Sequence, residues 1–260
     1  MSRMRMIQVW ALAMSAFCVW PVIQRQALAS EQERIRIRVV DYPRPISAAV
    51  LQIEQHFSWA VTYEDTRYVH PRDIVDVTKQ VRRDGDMSKR VLGMRNGSID
   101  LTYTPRPGTT IETQVGEVLQ ELLTHSRAAG NTGDFRIDWV PGGYHVVPMA
   151  MKGKSGVMEP YTSPLDTRIT LPYRQENGLE MMSRIAQAIT TRSGVTVTPG
   201  MMPLNGLEGA RVAVDVQNDP ARDVLWRALQ SINPRLSWQL LCSVGERGSC
   251  AINIHAVPKK

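Results

Sequence analysis

Lys154 and Ser155 lie between Gly153 and Gly156, and these are the residue types that cradle phosphate. The spacing does not carry that chemistry. The position five residues before Gly153 holds Pro148 where the loop needs glycine, and Val157–Pro164 is too broken by proline to supply the following helix. Ser155 does not form a nucleophile elbow either, because the glycine after it stands one position early. No His-Glu-x-x-His or Cys-x-x-Cys occurs, so no zinc or other metal site and no cofactor is expected. Glu64 and Asp65 could form an acid/base pair, but adjacent strand residues point to opposite faces. Of the five histidines, His145 and His255 hold related places in two closing strands. They are expected to face solvent rather than to form a ligand pair. Trp59, Trp139, Trp226 and Trp238 are assigned to the core.

Cys242 and Cys250 flank a glycine-bearing turn. In a hairpin centred on Glu246 they oppose each other within disulfide range, which predicts a Cys242–Cys250 bridge. Two buried free thiols are the alternative. A bridge suits an oxidising compartment, and the N-terminus agrees. Arg3 and Arg5 precede the apolar run Met6–Ile23, and the small-x-small site Ala27-Leu28-Ala29 follows. Residues 1–29 therefore read as a signal peptide cleaved between Ala29 and Ser30. Of the chain's 31 basic residues, Arg3, Arg5 and Arg25 lie in this leader, which holds no acid, so half of the net charge of +6 belongs to it. The mild remainder gives no case for nucleic acid. With no second long apolar run, the exported part is expected to be soluble, without a membrane span, and periplasmic or secreted.

These residues are positioned by a unit that occurs twice. Arg34–Val39 alternates apolar and basic like a strand, and Ile46, Val50, Ile53 and Phe57 recur at helical spacing. Ala60–Tyr63 is a strand, Ser98–Tyr103 another, and Val115, Val118, Leu119 and Leu122 mark a second helix. Phe135–Val140 and Tyr144–Pro148 close the unit. The order returns with Thr167–Leu171, ended by Pro172, then a helix capped by Asn177 and Glu180 and stopped by Gly194. Val195–Thr198, Ala210–Asp215, a helix starting at Asp219-Pro220, Leu236–Leu241 and Ile254–Pro258 complete it. The predicted fold class is α+β, in two tandem two-layer sandwich domains. Each runs β-α-β-β-α-β(β) with two helices on one face of a small sheet. The first spans 30–157 and the second 166–260.

The second unit resembles the short N-terminal domain of secretins and TonB-dependent receptors. The resemblance rests on the helix Leu179–Ser193, the strand Val195–Thr198 and the strand leading into Asn218-Asp219-Pro220-Ala221-Arg222-Asp223-Val224-Leu225. It covers roughly residues 166–258 and, more loosely, 34–148. It implies a periplasmic interaction module. As a whole the chain resembles exported bacterial proteins with this Tyr-Glu-Asp and Leu-Asp-Thr-Arg layout, a resemblance that brings no activity.

The copies differ in one long insertion, Glu64–Gly97, and long loops on a compact scaffold often carry function. Tyr63, just before it, and Glu64, Tyr68, His70, Arg72, Arg82 and Arg83 within it are the candidate binding residues. The expected function is a non-enzymatic envelope adaptor that recognises a protein partner by a sheet edge or by this insertion. An envelope hydrolase using His56, His70 or Glu64 is the alternative, and a small-ligand sensor with a cleft between the domains is a third.

Overall fold

The computed structural model describes residues 34–82, 89–245 and 248–259. The leader, its Ala29–Ser30 junction and Arg83 lie outside the described residues.

The first copy begins with strand β1 (Ile35–Tyr42), stopped by Pro43 and Pro45. Helix α1 (Pro45–Phe57) and strand β2 (Ala60–Glu64) follow. The insertion carries β3 (Ile74–Asp76), the short helix α2 (Thr78–Val81) and β4 (Leu92–Met94). The copy then resumes with β5 (Gly97–Tyr103), α3 (Ile111–Ala128), β6 (Asp134–Val140) and β7 (Gly143–Lys152). A turn at Gly153–Gly156 leads into β8 (Met158–Pro160), which pairs with the end of β7, so the Lys154–Ser155 stretch is a hairpin turn.

The second copy runs β9 (Arg168–Asn177), α4 (Gly178–Ser193), β10 (Val197–Pro199), α5 (Leu204–Glu208), β11 (Arg211–Pro220), α6 (Ala221–Ile232), β12 (Leu236–Cys242) and β13 (Cys250–Ala256). Asn177 caps α4 through the amides of Leu179 and Glu180 in a full capping box, and Gly194 closes it in a left-handed turn at φ 71°. Several expected boundaries move, among them those at Val195, Ile254, Pro172 and Asp219. Pro172 does not end β9, because a proline without an N–H is tolerated on a strand edge. Asp219 does not cap α6; it lies in β11, Pro220 holds the cap position, and Asp219 pairs with Arg227 at 2.5 Å.

The fold class is α+β, and strand pairing repeats between the copies. β1 pairs antiparallel with β5, and β9 with β11. β2 runs parallel to β7 and β10 parallel to β13, while β6–β7 and β12–β13 are antiparallel hairpins. Each copy thus divides its strands between a two-stranded ribbon and a larger sheet, and its helices touch both. This differs from helices on one face of a single small sheet.

The larger sheets are continuous, in the order β10-β13-β12-β2-β7-β6, joined where β12 runs parallel to β2. Ile35–Lys260 is accordingly one compact unit. In β12, Leu236, Trp238 and Leu240 enter the second copy's core, while Leu241 packs on the first copy's core. In β2, Val61 and Tyr63 enter the first core, while Glu64 meets Arg222 of α6. Side chains alternate across a strand, so the two helix layers cover opposite faces of the joined sheet. The order of equivalent strands is kept, whereas strand direction and helix face are inverted. The copies are related by a half-turn about a line across the strands, with a shift along that line.

Candidate functional site

The joint between β12 and β2 is held by polar groups from both copies. Glu64 and Asp65, at the end of β2, are completely buried. Glu64 takes a two-pronged ion pair from Arg222, with Nη2 at 2.9 Å from Oε2, and a hydrogen bond from the Ser163 hydroxyl. Arg222 reaches on to Asp166 at 2.8 Å. Burial lowers the Arg222 pKa, but Glu64 and Asp166 outweigh it and hold the guanidinium above its ordinary value. Asp65 accepts four bonds: from Arg44 at 2.6 Å, the Cys242 amide at 3.0 Å, and the Tyr63 and Tyr68 hydroxyls at 2.8 and 3.0 Å. Burial and the Asp65 charge push both phenols well above the ordinary tyrosine range. Glu64 and Asp65 serve different partners, as adjacent strand residues should.

The same joint extends across both faces of the sheet. On one face, Ser47 of α1 and Gln239 exchange hydrogen bonds at 2.9 and 3.1 Å, and Glu54 bridges the Val61 amide and His255. On the other, His145 lies between Trp226 and Trp238, with ring centroids 5.2 and 5.9 Å away. Its Nδ1 is 2.6 Å from the Thr62 hydroxyl. Burial, aided by the Arg222 charge, drives the His145 pKa down to about 3. The expectation that His145 faces solvent is therefore corrected: α6 covers β7 from the second copy's side. His255 is half-buried against Glu54, so the two histidines serve opposite faces and form no ligand pair.

The candidate binding residues are placed unequally. Tyr63, Glu64 and Tyr68 are buried in the joint, engaged before any partner arrives. The insertion also docks on the disulfide loop, where the Gly245 amide donates to the Tyr68 carbonyl at 3.0 Å. Cys242 and Cys250 form the expected bridge and face each other in register. His70 sits near Asp73, 3.9 Å away, and against the turn at Gly156. Arg72 is exposed, and its carbonyl accepts from Arg95. Arg82 is half-buried. Beside Tyr63 and Tyr68 a hollow of about 60 Å³, lined also by Arg44, Asp73, Arg95 and Asn131, has room for a few waters and not for an organic substrate. Among the described residues, no cluster of three or more His, Cys, Asp or Glu could hold a metal, and no helix is long and apolar enough to cross a membrane.

Sheet edges contrast with this interior. Three are plugged. Gln52 bonds both the amide and the carbonyl of Arg38 on β1, at 3.0 and 2.9 Å. On β9, Pro172 has no N–H and its carbonyl accepts from Arg184 at 2.9 Å. On β10, the Thr190 hydroxyl takes both the amide and carbonyl of Val197, and Pro199 offers no donor. On β6 the Phe135 amide is taken by the Asp134 carboxylate at 3.1 Å, but among the described residues the middle of the strand has no such plug. The two-residue turn from Val140 to Gly143 sets the alternation of the β6–β7 ladder, which turns the N–H and C=O of Trp139 and Ile137 away from β7. Among the described residues no side chain is bonded to those backbone groups. Trp139 is 58% exposed, contrary to its assignment to the core, with its indole N–H on Glu112 and exposed Ile111 at the start of α3. It stands near the turn end of the rim strand, on the face toward α3, where only the exposed first turn of that helix lies beside it.

Compared with known proteins, the chain matches no family model, no curated protein and no solved structure.

Proposed function

We propose that this chain is an exported, non-enzymatic binding or adaptor protein of the bacterial cell envelope that takes a protein partner by strand addition at the β6 edge. The observation that carries this reading is the contrast between the two ends of the joined sheet: β10 is plugged by Thr190 and Pro199, whereas among the described residues no side chain bonds the outward backbone of Ile137 and Trp139 on β6. Open strand edges template pairing with another chain, and proteins blunt the ones they do not use. The signal-peptide pattern and the Cys242–Cys250 bridge support an oxidising envelope compartment. Glu64, one of the residues on which the hydrolase reading leans, is bonded by the Ser163 hydroxyl, and both are sealed from solvent.

Ile137→Pro tests the site. It removes the outward N–H without costing a bond to β7. Pull-downs from envelope extract with this variant should lose the partner that the wild type captures. An unchanged set of captured proteins would count against the β6 edge.

A further inference from the structure

The repeat itself shows how the edge equivalent to β6 is used. β12 holds the same place in the second copy, and its outer edge is filled by β2. Continuing that pattern outward would bring β10 of another molecule alongside β6, but β10 is closed by Thr190 and Pro199. Head-to-tail growth is therefore blocked at one end of the sheet, and only the β6 end remains to be covered.

The β6 sequence is self-complementary. Asp134-Phe135-Arg136-Ile137-Asp138-Trp139-Val140 places Arg136 and Asp138 on one face, 2.9 Å apart, and Phe135, Ile137 and Trp139 on the other. In an antiparallel pairing centred on Ile137, Arg136 of each strand stands opposite Asp138 of the other, and Trp139 opposite Phe135. Ile137 then pairs with its own symmetry mate, and Trp139 with Phe135, whose amide exchanges the Asp134 carboxylate for the partner's carbonyl. Moving the centre by one residue either way sets Asp138 against Asp138, or Arg136 against Arg136. Like charges directly opposite disfavour such pairings. Charge therefore favours the register centred on Ile137 over its two neighbours.

We propose that β6 pairs antiparallel with β6 of a second copy of this chain, centred on Ile137, forming a two-fold dimer with one sheet running through both molecules. The proposal rests on reading β6 as a docking edge and names what docks there. A two-fold contact closes on itself, which suits a sheet whose other end is already plugged. The exposed Trp139 and Ile111 lie beside the seam.

The test measures molar mass by light scattering on the exported product, at micromolar to tens of micromolar concentrations, with circular dichroism confirming that each variant folds. The wild type should run as a dimer and Ile137→Pro as a monomer. Asp138→Arg should also be monomeric, since it sets arginine against Arg136, and Arg136→Asp combined with Asp138→Arg should restore the dimer. Ile137→Cys should oxidise to a covalent dimer through the residue on the two-fold. A wild type that stays monomeric throughout, with no crosslink through Ile137→Cys, overturns the proposal. Open-ended larger species would overturn it in favour of head-to-tail addition. If the wild type is monomeric yet Ile137→Pro still loses an envelope partner, the dimer fails while the β6 docking site stands. If capture is also unchanged, both fail.

Discussion

β12 and β6 occupy the same place in the two copies, yet one is among the most enclosed strands of the sheet and the other is its rim. Both begin as the first strand of a closing hairpin, with apolar residues toward their own helices. The difference lies in the second face. β12 carries Ser237 and Gln239 there, and both bond the first copy, Ser237 to the Val61 carbonyl at 3.1 Å and Gln239 to Ser47. β6 carries Arg136 and Asp138, which bond each other. Neutral amides and hydroxyls can enter an interior once paired, whereas a charged couple stays cheaply at a surface. Two copies of one unit thus separate by the chemistry of two positions in a seven-residue strand.

The comparison can be broken most directly at Glu64. Glu64→Leu leaves Arg222 buried without its main partner and should lower unfolding stability by about 3–5 kcal/mol in chemical denaturation. Adding Arg222→Met should recover much of that loss; if it does not, the pair is more than mutual compensation. Next in size is the bridge beside the joint. Replacing Cys242 and Cys250 together by Ser opens a loop with a sequence separation of 8. The expected loss is about 2.5 kcal/mol from chain entropy. An equal midpoint in denaturant for the oxidised wild type and the variant would refute it.

A third effect depends on pH. His145 titrates at about 3 when folded, against an ordinary 6.5. The unfolded chain therefore binds a proton that the native state refuses. The contribution is complete above pH 6.5 and is lost as pH falls from there toward 3, amounting to roughly 2 kcal/mol by pH 5. His145→Gln should remove that part of the acid sensitivity, measured as the difference between denaturation at pH 7 and pH 5. An unchanged difference would assign the sensitivity elsewhere. The smallest effect belongs to the rim of the ribbon. Arg36 and Asp100 make a two-pronged pair at 3.0 and 2.7 Å, but both are exposed. Exposed pairs are screened by solvent, so Arg36→Gln should melt indistinguishably from wild type in calorimetry, unlike Glu64→Leu.

Much of the architecture was legible. The duplicated order, the Asn177 cap, the Gly194 stop and the Cys242–Cys250 bridge follow from local periodicity and spacing, which act over a few residues. The joint was not legible, because each half of it lies in a different copy. Ala60–Glu64 is buried on both faces, although Thr62 and Glu64 on one of them are polar and give no sign of it in the sequence. Only the arrival of α6 from the other copy turns that face inward, and His145 was misplaced for the same reason. Trp139 erred in the opposite sense, since aromatic type alone does not tell an inner strand from a rim. One signal was available: Pro172 and Pro199 within strand patterns mark closed edges, and Phe135–Val140, free of proline, stands apart from them.

The joint also fixes a timetable. Val61 waits for Ser237, 176 residues further along the chain, and Arg44 for Cys242, 198 residues further. When the chain is made or threaded from its N-terminus, the first copy can collapse on its own helices while β2 still lacks the neighbour that will cover it. Contacts this distant in sequence form slowly, and an unpaired strand edge is sticky meanwhile. The passage from half a sheet to a whole one is the interval in which this protein most needs to be kept from its neighbours, and it ends only when the last hairpin closes.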